Sequence, residues 1–160
     1  TKSITTIIMV SRGYFYLNWA ENFSIPNKPY LTSKEDIFLE GIKDLVERFK
    51  DKQIIFVLEN PTLSFPPSNC KKQRPIRLYE DKCYISRDED EMIHGQYIVK
   101  TTELLSNYKN VKVVDPRDDL CDDRYCYAIK EGKLLYSDRN HMNLSGSFVQ
   151  GKTIANAFEK

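Results

Sequence analysis

Three stretches of the chain are dominated by aliphatic and β-branched residues: Ile4 to Val10 (ITTIIMV), Gln53 to Glu59 (QIIFVLE) and Val111 to Pro116 (VKVVDP). None alternates apolar with polar residues as a half-exposed strand does. This pattern predicts strands covered on both faces, as in a parallel sheet. Between them the period changes to that of a helix. From about Ser33 to Lys50, Phe38, Ile42, Leu45 and Phe49 fall on one face, and Thr32 with Glu35 has capping-box spacing. Ser86 with Glu89 opens a second helix running to about Tyr108, and a third spans about Ser145 to Phe158. The remainder reads as connections. Arg12 to Tyr30 is an aromatic-rich loop, and Asn60 to Ile85 is a long excursion punctuated by Pro61, Pro66, Pro67 and Pro75. A hairpin turns at Glu131-Gly132.

The order β-α-β-(loop)-α-β-hairpin-α predicts an α/β fold, a mainly parallel sheet with helices on both faces, in a three-layer arrangement. Ligands of such sheets bind beyond the carboxyl ends of the strands. The segments Ser11 to Phe15, Asn60 to Pro67 and Asp115 to Cys121 belong to that edge, and Ser137 to Asn143 can reach it. A chain of 160 residues forms one domain of ordinary size, and no internal repeat divides it.

Composition narrows the functional classes. With 24 Lys+Arg against 23 Asp+Glu, bulk charge does not select nucleic acid or an anionic membrane. No apolar run approaches the ~20 residues that cross a bilayer. The first residues lack the three-part layout of a signal peptide, and the chain opens almost directly on a strand, as a piece of a longer protein would. The four cysteines fall into local pairs, Cys70 with Cys83 and Cys121 with Cys126, among polar neighbours. Two disulfides in an oxidising compartment fit this arrangement; four thiols and a structural zinc site remain alternatives, although no C-x-x-C pair is present.

The candidate chemistry lies in YSDRNHMNLSG, Tyr136 to Gly146. On a turn before a helix, Asp-x-x-His spacing lets the Asp138 carboxylate accept from the His141 Nδ1–H, leaving Nε2 to take a proton from a hydroxyl. The plainer alternative is a helix cap beside a surface histidine. Other features read as structural. His94, the second histidine, is expected on a helix surface, and Ser145 at a helix N-terminus. The five aspartates of DPRDDLCDDRYC lack the ligand order of a calcium loop, which leaves a solvated loop closed by a disulfide. Tyr14, Phe15, Tyr16, Trp19 and Tyr30 could stack on sugars or cover the end of a core.

A run of residues over the last third resembles the SGNH/GDSL hydrolase superfamily. It comprises Val113-Val114-Asp115-Pro116, Leu120-Cys121, Cys126, Gly132, Leu135-Tyr136, Asp138, His141-Met142-Asn143 and Gly146. Within that superfamily the chain looks most like the domain fused behind acyltransferase-3 membrane proteins, which acylate bacterial surface polysaccharides such as O-antigen. The resemblance implies a Ser-His-Asp triad with Asp138 and His141 as two members. It places the serine in a Gly-Asp-Ser block after the first strand of the domain, and no such block occurs in these 160 residues. The implied nucleophile therefore precedes Thr1. Ser11 is a weaker substitute, because an elbow needs a helix directly after the serine and the aromatic loop gives no sign of one. Arg12 and Gly13 stand where relatives carry Arg and Trp near the oxyanion, and a salt bridge is an equal reading of Arg12. The resemblance further implies an acyl donor, a polysaccharide hydroxyl as acceptor, a membrane acyltransferase domain in the same parent chain, and the periplasmic face of the inner membrane. It calls for no metal or organic cofactor. An ester hydrolase and a polysaccharide-positioning module are the alternatives, and an open sheet edge would favour a homo-oligomer.

Overall fold

A computed structural model describes residues 3–18, 24–70 and 82–158. Trp19 and the middle of the proline-rich excursion, including Pro75, lie outside the described residues. The elements in chain order are β1 (Thr6–Val10), α1 (Gly13–Asn18), α2 (Lys34–Arg48), β2 (Gln53–Val57), a 3-10 turn (Pro67–Cys70), β3 (Tyr84–Ser86) and α3 (Arg87–Leu105). Then come β4 (Val111–Val114), α4 (Arg117–Leu120), β5 (Tyr125–Tyr127), β6 (Ile129–Lys130), β7 (Lys133–Leu134) and α5 (Leu144–Asn156). They form two compact units, Thr1–Glu59 with His94–Val114, and Asn60–Ile93 with Asp115–Lys160.

The first unit holds a parallel sheet of order β1-β2-β4, with Ile7 beside Ile54 and Ile54 beside Val111. The three apolar runs of the sequence are its strands. Ile54 to Val57 are buried on both faces, as their unbroken apolar character requires. Ile54, Phe56 and Leu58 face a core built with Phe38, Ile42 and Val46 of α2 and Tyr97 and Leu105 of α3. The inward face of α2 thus runs through Val46, while Leu45 is 43% exposed. The N-cap is Ser33, whose hydroxyl accepts from the Asp36 N–H, one residue beyond the expected Thr32.

Other expectations fail in this unit. The aromatic loop begins with a helix, α1, because the buried Glu59 carboxylate accepts the Tyr14 N–H at 3.0 Å and caps it from 45 residues away. His94 is completely buried, not on a helix surface. It lies edge-on to the Tyr14 ring and shares the inward stripe of α3 with Tyr97, Thr101 and Leu105. Polar members break the hydrophobic period of that stripe.

β1, expected to be covered on both faces, is instead an edge strand of the sheet and partly exposed. Ile8 is 45% and Val10 74% exposed, and beside them opens an apolar groove of about 560 Å³ lined by Ile8, Val10, Tyr16, Ile25, Ile37 and Leu45, among others. No described helix is long and apolar enough to cross a membrane.

The second unit packs Leu63, Ile85, Leu120, Ala128, Leu135 and Tyr136 around the two disulfides, Cys70–Cys83 and Cys121–Cys126. Both pairings match the sequence expectation, and no described cysteine is free. On the chain-entropy model the first, closing 13 residues, contributes about 3 kcal/mol. β3 and β5 pair antiparallel inside segments that read as loops, and β6 and β7 form the hairpin at Glu131-Gly132. The aspartate-rich stretch is less solvated than its composition indicates. Arg117 is buried, with Nε 2.7 Å from Asp115 and Nη1 3.6 Å from the buried Asp90. No metal-binding group of acidic, His and Cys side chains forms among the described residues.

Gly13 opens α1 against Tyr97, and a Cβ there would fall inside the Tyr97 ring. Gly13→Ala is expected to destabilise the protein by roughly 1–3 kcal/mol. The cost shrinks when Tyr97→Leu vacates the space, leaving a coupling above about 0.5 kcal/mol in chemical denaturation. Additive losses would contradict the contact.

Candidate active site

The candidate site is a turn closed on itself. Tyr136 and Met142 bridge antiparallel, the Ser137 N–H donates to the His141 carbonyl at 2.8 Å, and the Asn143 N–H donates to the Leu135 carbonyl at 2.9 Å. Within the loop so formed, Asp138 Oδ1 accepts the backbone N–H groups of Asn140 (2.9 Å) and His141 (2.8 Å). This Asx turn brings the His141 ring over the second carboxylate oxygen, with Nδ1 2.8 Å from Oδ2. The aspartate makes the turn, and the turn delivers the histidine to the aspartate.

The electrostatics follow from those bonds. The Asn140 N–H, then the His141 N–H and the His141 ring, pull the Asp138 carboxyl down from the usual carboxylate range to about 2. It therefore remains a carboxylate at neutral pH and acts only as an acceptor. His141 must present Nδ1–H to it, so Nε2 carries the lone pair of the neutral ring. Both side chains are open to solvent, His141 at 66% and Asp138 at 57% exposure. In a working Ser-His-Asp triad the aspartate is buried.

The turn is anchored by residues distant in sequence. Asn60 donates from Nδ2 to the Asn140 carbonyl at 3.1 Å, the Leu63 N–H donates to the Arg139 carbonyl at 2.8 Å, and the buried Tyr136 hydroxyl donates to the Pro61 carbonyl at 3.1 Å. Burial pushes the Tyr136 phenol above its usual range, so it stays a donor. Asn143 caps α5 by accepting the Gly146 N–H, while its Nδ2 donates to the Leu134 carbonyl at 2.7 Å. Gly146 is required because a Cβ there would collide with the Leu135 carbonyl oxygen. Asn60 had no local signal; only the fold brings it to a carbonyl 80 residues away.

Arg12 and Gly13 belong to the first unit, after β1. The Arg12 Nε is 3.8 Å from Glu59 and its guanidinium lies 5.1 Å from the Phe15 ring centroid, so the salt bridge of the two readings is present. Ser11 precedes α1 by two residues, so the expected absence of a following helix was incorrect. Ser145 sits in the first turn of α5. Of the aromatic group, Tyr14 packs on His94, Tyr16 stacks on Phe38, and Tyr30 is 72% exposed.

A mixed α/β chain with a parallel sheet and an Asp-x-x-His turn before its last helix has the features of an SGNH-type domain. The chain belongs to the family of SGNH domains fused to AT3 domains, whose model matches residues 1–155. Sequence comparison with curated proteins finds no match. Among solved structures, the chain is similar to the periplasmic domain of a lipopolysaccharide acetyltransferase from Salmonella ser. Paratyphi A. Identity is 16% and the TM-score 0.59, over 97% of this chain and 57% of that one. A Streptococcus pneumonia protein named for platelet activating factor is 14% identical with a TM-score of 0.51, over 96% of this chain and 59% of that one. At these identities the likeness is one of fold, and the chain spans less than three-fifths of either structure.

Carboxyl-resolved NMR is expected to titrate Asp138 with a midpoint near 2. Because the folded value is lowered, its stabilising contribution is complete above the unfolded value, near 3.9. That contribution is lost as pH falls through about 2. A midpoint near 4 would contradict the bonded turn.

Proposed function

We propose that the chain supplies the acid–base pair of an O-acyltransferase domain that acetylates a bacterial surface polysaccharide. The observation that carries this reading is the 2.8 Å Nδ1–Oδ2 contact inside a turn that holds Asp138 ionised. The nucleophilic serine comes from a segment of the parent protein preceding Thr1. The open edge of β1 and the apolar groove beside it offer a further strand, and the helix after it, a place to pack.

In the complete domain His141 Nε2 removes the serine proton as the oxygen attacks the donor carbonyl. Asp138 stabilises the resulting imidazolium and fixes its orientation. The imidazolium returns the proton to the leaving group, and the acyl group rests on serine. A sugar hydroxyl then attacks, its proton passing to Nε2 and from there to the departing serine oxygen, and the acyl group is transferred to the sugar. Water in that second step would give hydrolysis. Backbone N–H groups would hold the oxyanion. Membership of a family of SGNH domains fused to AT3 domains supports an AT3 membrane domain in the same parent chain, which would be the source of acyl groups. The two disulfides favour the periplasmic side of the membrane.

The test is acetyl-ester turnover by a protein extended upstream through a Gly-Asp-Ser block. His141→Ala is expected to lower its kcat/KM by roughly 10³-fold or more, and Asp138→Asn by about 10²- to 10⁴-fold. Equal activity in parent and His141→Ala would overturn the catalytic reading and leave a polysaccharide-positioning module. The 160-residue chain alone is expected to turn over nothing. Hydrolysis by it that Ser11→Ala abolishes would move the nucleophile to the end of β1.

A further inference from the structure

In the second unit, β3 and β5 form a short antiparallel ribbon whose two faces differ completely. Ile85 pairs with Cys126, and both are buried at 1% exposure. The alternation of a strand then puts Tyr84, Tyr125 and Tyr127 together on the opposite face. Tyr84 lies directly across from Tyr127, and its ring centroid is 4.4 Å from that of Tyr125 and 6.3 Å from that of Tyr127. All three rings are half-buried.

Among the described residues the core of the unit lies on the other face of the ribbon and does not account for this trio. The ribbon is also rigid. Cys83 and Cys126 pin the two strands through different disulfides. Asp122 accepts the N–H groups of Arg124 and Tyr125 through Oδ1 and the Tyr127 hydroxyl through Oδ2, at 2.5 Å. These bonds hold the Asp122 carboxyl below its usual range and the Tyr127 phenol above it, so Tyr127 is a committed donor. The hydroxyls of Tyr84 and Tyr125 form no hydrogen bond with any described residue.

We propose that this tyrosine face binds the saccharide chain, as a docking surface separate from the Asp138–His141 turn; the choice of ligand rests on the acyltransferase reading. A pyranose has an apolar face of axial C–H groups and a rim of hydroxyls. Aromatic faces beside phenol hydroxyls match both. An aliphatic protein surface has no use for those hydroxyls. The rings are tilted by 54° to 65° to one another, which suits successive sugars turned about their linkages better than stacked planar bases. The charged residues flanking the strands in sequence, Lys82, Arg87, Asp122, Asp123 and Arg124, nearly cancel, which favours a neutral saccharide over a polyanion.

The experiment is NMR of the 160-residue chain with labelled tyrosine rings, titrated with neutral hexasaccharides of gluco, manno, galacto and rhamno configuration. The Tyr84, Tyr125 and Tyr127 signals are expected to shift with at least one sugar. Tyr84→Ala with Tyr125→Ala weakens that binding by roughly tenfold. Tyr84→Phe keeps the ring, weakens binding less, and guards against loss through misfolding. Unmoved tyrosine signals at about 10 mM of every sugar, near the weak end of measurable affinity, would overturn the proposal. Binding that survives loss of both rings would do the same. Ester turnover by the extended protein tests the catalytic reading separately, so either can fail alone.

Discussion

The site depends on one carboxylate serving three donors. Asp138 uses one oxygen to fold the backbone of Asn140 and His141 and the other to hold the imidazole that this folding delivers. The conformation of the turn and the tautomer of the histidine are therefore a single property of the molecule. The anchors from Asn60, Leu63 and Tyr136 carry that constraint into the disulfide-framed core of the second unit. Preorganisation of this kind lets a general base act without first searching for its orientation.

Much of the framework was legible because each signal was local. The three buried strands announced themselves as β-branched runs, and the Ser86 cap is present, with its hydroxyl accepting the Glu89 N–H. The cysteine pairs lay close enough in sequence to imply their partners. Asp138 and His141 were legible for the same reason: three residues of turn contain the whole interaction. What escaped depends on tertiary contacts. α1 is capped by Glu59, Arg117 is buried beside Asp90, and His94 lies on a stripe where polar side chains mask the helical period. Asn60 reaches a carbonyl across 80 residues, and nothing near it in sequence marks that bond.

The edge of β1 and the solvent exposure of the dyad bear on the same question. A parallel sheet with Ile8 and Val10 exposed along one border, beside an apolar groove, is a surface suited to further polypeptide. A carboxylate–imidazole pair exposed to water is less strongly coupled than a buried one, because solvent screens it. Each is compatible with the proposed reading, in which the nucleophile comes from elsewhere in the parent protein.

The most direct test of the central claim is ¹⁵N NMR of the His141 imidazole in the neutral form. In water a free imidazole favours the proton on Nε2; the bonded turn instead requires it on Nδ1, with Nε2 giving the signal of an unprotonated, pyridine-type nitrogen. That assignment, reversed by Asp138→Ala, is the expected result. A neutral ring protonated on Nε2 in the parent protein would contradict the account.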